Sequence, residues 1–168
     1  MTRTDITAKW VVYSLLFIAA AIVQELVLDN IKVFGEMPFL LPVIVALVAA
    51  REGSVPGTIF AIVFGMVCEF GGYVPIGGIY VISFTVAALI VSLIARFWVS
   101  GGVFGGVVYA GIAFVVVDAF LGGYMMMFHS ASFSAVASVG AREMLASILA
   151  VFPLYPLVYL IHTKFTRS

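Results

Sequence analysis

Charge is scarce in this chain and cysteine nearly absent: 10% of its 168 residues are Asp, Glu, Lys or Arg, and the one cysteine is Cys68. A single cysteine excludes an intrachain disulfide framework and a cysteine-based zinc site; Cys68 reads as a small apolar core residue. Eight basic and eight acidic residues cancel, which leaves no electrostatic footprint for nucleic acid. HExxH, GxSxG, a P-loop and a paired-carboxylate arrangement are all missing. The sequence therefore points to no enzyme, no cofactor and no metal site. His129 and His162 fall at opposite membrane surfaces in the layout below, so they cannot share a metal. Met125, Met126 and Met127 read as lipid-facing or core-filling side chains.

What the chain has is oil. It is 64% hydrophobic, with a mean hydropathy of +1.26, where a soluble domain is about 45–50% apolar and about 25% charged. A water-soluble fold of this size could not hide that excess; in lipid it needs no hiding. A spanning helix takes about 17–25 largely apolar residues. The sequence predicts six such segments, at about 10–28, 38–50, 55–70, 79–95, 103–128 and 144–161. The expected fold is an all-α membrane bundle of six transmembrane helices, forming a single domain over 1–168. Segment two is short, and either recruits Ile31 to Phe34 or enters the membrane only partly. Segment five is read as broken by Asp118 and Gly122-Gly123. In segment six, Pro153 and Pro156 remove two donors and predict a kink.

The basic residues orient the bundle. With six spans, Arg3, Lys9, Arg51, Arg96, Lys164 and Arg167 share one side, and only Lys32 and Arg142 face the other. The positive-inside rule then places both termini in the cytoplasm. Trp10, Tyr13 and Trp98 fall near the inner interface, Tyr73 and Tyr124 near the outer one. Arg3, Lys9 and the Ala19-Ala20-Ala21 run resemble a secretory signal, but the expectation is a retained first helix. Connections are short; the longest, His129 to Gly140, is expected to be a polar outer loop.

Segments three and five align without gaps, Gly57 through Glu69 on Gly106 through Asp118; after the acid one copy reads Phe70-Gly71-Gly72-Tyr73 and the other, with two extra residues, Ala119-Phe120-Leu121-Gly122-Gly123-Tyr124. Both are expected to run in the same direction, so the match reads as a parallel rather than an inverted duplication. Glu69, Asp118, Arg142 and Glu143 form a candidate intramembrane polar cluster in the outer half. Buried ionised groups there cost about 2.5–3.5 kcal/mol on insertion scales and usually face partners or water. Arg142 is the expected neutraliser of Glu69 or Asp118, and Asp118 is expected to lie deepest. Glu69 and Glu143, like Glu25, also read simply as helix-end charges. Gly71, Gly72, Pro75 and Gly77 make a breaker cluster that turns the chain on the outer face. Gly101, Gly102, Gly105, Gly106 and Gly111 suit close helix packing within the chain.

Read in order, the chain resembles the MreD family of bacterial rod-shape membrane proteins. The resemblance rests on Gln24 near the end of the first helix and on the stretch Val33 through Leu41. It continues with the Arg51-Glu52-Gly53 hairpin, the Pro75-x-Gly77 turn, and a proline-bearing last helix before a short basic tail. Where the family often has Asp-Leu at the end of helix three, this chain has Glu69-Phe70. The resemblance implies a scaffold subunit of the cell-elongation complex, in the bacterial cytoplasmic membrane. Such a subunit binds MreC and acts indirectly with MreB, a RodA-type glycosyltransferase and a class B penicillin-binding protein in peptidoglycan synthesis. It also implies a fold like the S-components of energy-coupling-factor vitamin transporters, which makes a substrate-binding S-component the alternative. An S-component would need an outward cavity with ligand-ordering side chains, and the outer loops offer little beyond serines. A channel or small secondary transporter is weaker still, since only Asp118 approaches mid-membrane.

Overall fold

A computed structural model describes residues 3–33, 35–70, 77–97 and 102–166. These residues fold into seven α-helices: α1 (Arg3–Leu26), α2 (Leu41–Glu52), α3 (Ser54–Phe70), α4 (Ile79–Phe97), α5 (Val103–His129), α6 (Phe133–Ile148) and α7 (Val151–Thr166). Three are long and apolar enough to cross a membrane: α1 over Ile6–Leu26, α4 and α5. The α6–α7 pair, bent by 57° at a short break, qualifies together as a fourth, broken crossing. α3 is apolar but shorter, at 17 residues. The protein is thus all-helical and fits a multi-pass membrane protein.

The organising element is the shortest of these helices. α2 has 12 residues, about 18 Å of helix, and every residue from Leu41 to Ala49 is buried. A helix that is apolar all round must be surrounded, and α2 packs against α1, α3, α4, α5 and α7. Segment two therefore does not extend its helix back through Ile31 to Phe34. After a 3₁₀ turn at Leu28–Asn30, the chain approaches α2 as non-helical backbone over 37–40. Irregular backbone at membrane depth is tolerable only inside protein with its polar groups paired. The buried Gln24 side chain supplies the pairing: its amide nitrogen donates to the Pro38 carbonyl (2.8 Å), and its oxygen accepts from Leu40 N (2.9 Å). Ser147 Oγ accepts from Phe39 N (2.8 Å).

Small residues set the closest approaches around this hub. A Cβ on Gly57 would fall 2.6 Å from Ala49 Cα, and one on Gly65 would fall 2.7 Å from Val81 Cα, so α3 lies directly against α2 and α4. In α5, a Cβ on Gly106 would meet Tyr155 at 2.8 Å, whereas one on Gly111 meets nothing within 4 Å. α1 packs by side chains instead. Lys9, Tyr13, Phe17, Ala20 and Gln24 form its buried stripe, and the Phe17 ring lies tilted against Phe64 at 4.1 Å and edges onto Phe60 at 6.0 Å. Its opposite face exposes Val11, Leu15, Ile18, Ile22 and Leu26.

Three expectations are corrected in the second half of the chain. α5 is one unbroken helix through Asp118 and Gly122-Gly123; Gly122 is there because Val136 of α6 occupies the space of a Cβ. The expected outer loop is only a short connection, since 133–140 begin α6. Ser130 ends α5 in the left-handed conformation (φ 54°), and Ser132 caps α6 by accepting from Ala135 N. Segment six is split rather than kinked, with α6 ending at Ile148 and α7 starting at Val151. Pro153 sits in the first turn of α7, where a missing N–H costs no helical bond; Pro156 lies inside that helix.

Candidate functional site

Polar side chains gather at the two ends of the bundle. At one end, α1 begins and α2 and α7 finish, and Glu52 joins all three. Lys9 Nζ donates to Glu52 Oε2 (2.5 Å), Tyr13 OH donates to Glu52 Oε1 (2.9 Å), and His162 Nδ1 lies 2.8 Å from Oε1. The Glu52 side chain is 5% exposed. Burial alone raises its proton affinity, and the bonds from Lys9, His162 and Tyr13 more than offset this, holding the carboxyl below its ordinary range. Next to it, Arg51 lies over Tyr155 and Tyr159 and donates to the Tyr155 hydroxyl. That hydroxyl also accepts from Gly102 N at 2.9 Å, which ties the start of α5 to the same end.

The other end holds the acids singled out by sequence. Glu69 Oε1 accepts from Tyr80 N at 2.6 Å. It thereby caps a second-residue N–H of α4 from the end of α3 and faces the positive end of that helix. Tyr80 lies within Coulombic reach of Glu69 and Glu143, and Glu143 within reach of Asp118 and Glu36. Asp118 itself packs on α6, where a Cβ on Gly140 would fall 2.8 Å from its Oδ2. Beyond Asp118, α5 runs on for residues 119–129, about 16 Å. Arg142 is exposed and pairs with neither Glu69 nor Asp118; among the described residues the ion pairs are Lys9–Glu52 and His162–Glu52.

Of the expected outer turn, Gly71, Gly72 and Pro75 lie outside the described residues, and so do Tyr73 and Trp98. Gly77 stands in a turn with Gly78, whose φ of +99° favours glycine. Among the described residues no three His, Cys, Asp or Glu side chains could hold a metal. His129 edges onto Tyr124 (5.4 Å) at the end of α5, far along the bundle from His162.

The Glu52 joint was missed by sequence reading, because its partners are 43 and 110 residues away. A signal was present nonetheless: Lys9, Glu52 and His162 all fall at the same predicted membrane face, with opposite charges. Comparison with known proteins finds no matching family model, curated protein or solved structure.

Proposed function

We propose that this chain is a non-catalytic membrane scaffold of the bacterial cell-elongation complex, of the MreD type. In this reading six segments cross or enter the cytoplasmic membrane: α1, α2 with its extended lead, α3, α4, α5 and the broken α6–α7 pair. Both termini face the cytoplasm. The observation that supports a scaffold is how the interior polar groups are used. Gln24, Glu52, Glu69 and Ser147 are spent on the protein's own backbone and side chains, as a framework requires. The outward faces of α1, α3 and α7 present apolar side chains such as Leu15, Ile59 and Phe152, which suits lipid and the spanning helix of a partner such as MreC.

Co-purification in mild detergent tests this. Recovery of MreC, with the RodA-type glycosyltransferase and class B penicillin-binding protein following indirectly, is the expected result. A bound vitamin, or a pair of ATPases in its place, would assign the chain to the S-component class instead.

A further inference from the structure

We propose that Arg51, Tyr155 and Tyr159 form a binding site for the phosphate of an anionic phospholipid headgroup. The inference rests on membrane embedding and not on the scaffold role. Arg51 lies in the last turn of α2 and is half-buried. Its guanidinium carbon lies 5.2 Å from the centre of the Tyr155 ring and 5.1 Å from that of Tyr159. The two rings, one turn apart on α7, are nearly parallel, at 14°. This double cation–π contact fixes the plane of the guanidinium.

Among the described residues no carboxylate pairs with the Arg51 cation. Its sequence neighbour Glu52 is engaged elsewhere, with Lys9 on one oxygen and Tyr13 and His162 on the other. Among the described residues one of its five guanidinium N–H donors is taken, by the Tyr155 hydroxyl. That oxygen also accepts the Gly102 amide, and among the described residues its own proton has no acceptor. Converging donors around a fixed positive charge call for an anion with several acceptor oxygens, and a planar guanidinium fork matches phosphate. Phe104 and Phe152 are 76% and 59% exposed nearby in sequence on α5 and α7, apolar surface suited to acyl chains. A lipid phosphate meets both demands, whereas free phosphate meets only the first.

The full-length protein, purified in detergent, is titrated with phosphatidylglycerol, phosphatidylcholine or inorganic phosphate, with lipid retention read by native mass spectrometry. Wild type should retain phosphatidylglycerol in preference to phosphatidylcholine. Arg51→Gln should lower that affinity roughly tenfold, as expected for a charge-assisted bond, and Arg51→Lys should restore it only in part. If Arg51→Gln does not fold, Tyr159→Leu, which leaves the Arg51–Tyr155–Gly102 chain of bonds in place, should still weaken retention. Equal retention of the two lipids, or unchanged retention in Tyr159→Leu and Arg51→Gln, would overturn the site. Displacement of the lipid by millimolar-range inorganic phosphate would overturn the lipid assignment.

Discussion

A carboxylate taken out of water must acquire a proton or be given donors, and Glu52, on α2, is given three partners from two other helices, Lys9 and Tyr13 of α1 and His162 of α7. Because its folded carboxyl is held low, its stabilisation is complete above the unfolded value near 4.3 and is lost as pH falls through the lower folded value. Glu52→Gln should therefore lower stability at neutral pH by about 3 kcal/mol, since Lys9 is left buried without its partner. The difference between wild type and variant should shrink below about pH 4.3. Unfolding midpoints in detergent across that range check both statements; a difference that does not change with pH would remove Glu52 as the titrating group. Gln24 supports a parallel test. Gln24→Leu orphans the Pro38 carbonyl and the Leu40 amide, at about 1–3 kcal/mol for each buried group, and the same midpoint measurement should show the sum. A loss below 1 kcal/mol would mean that water or other groups replace it.

At the scale of elements, periodic apolar runs were legible and irregular ones were not. The sequence reading of 55–70, 79–95 and 103–128 falls within two residues of α3, α4 and α5 at both ends, because each is a continuous apolar stretch bounded by glycine or charge. α6 was not legible: Ser- and Ala-rich residues 133–140 are too polar for a lipid-facing run and, the alanines apart, are middling to poor helix formers, so only the Ser132 cap betrays them. α2 was legible as apolar but not as the centre, since full burial looks the same in sequence as exposure to lipid. Substitution separates the two. Ile44→Ala, in a position with no exposure, should cost about 2–5 kcal/mol through the cavity it leaves. Leu15→Ala, 59% exposed on α1, should cost under about 0.5 kcal/mol, because that side chain meets lipid or detergent whether or not the helices are assembled. Similar losses at the two positions, in the same detergent unfolding assay, would contradict a buried hub.

For the whole molecule, the two ends of the bundle are chemically distinct. One collects Lys9, Arg51 and His162 around Glu52; the other collects Glu36, Glu69, Asp118 and Glu143. The first gathers the start of α1 with the finishes of α2 and α7, which is the shared end that an even number of crossings demands. In the proposed orientation, which follows the positive-inside rule, that end faces the cytoplasm. The decisive measurement is labelling of single cysteines at Thr4, Ser130 and Ser168, in a Cys68→Ser background, with a membrane-impermeant thiol reagent on intact cells. The account predicts that Ser130→Cys is labelled directly, while Thr4→Cys and Ser168→Cys react only after permeabilisation. Reaction of one terminus and not the other in intact cells would contradict it.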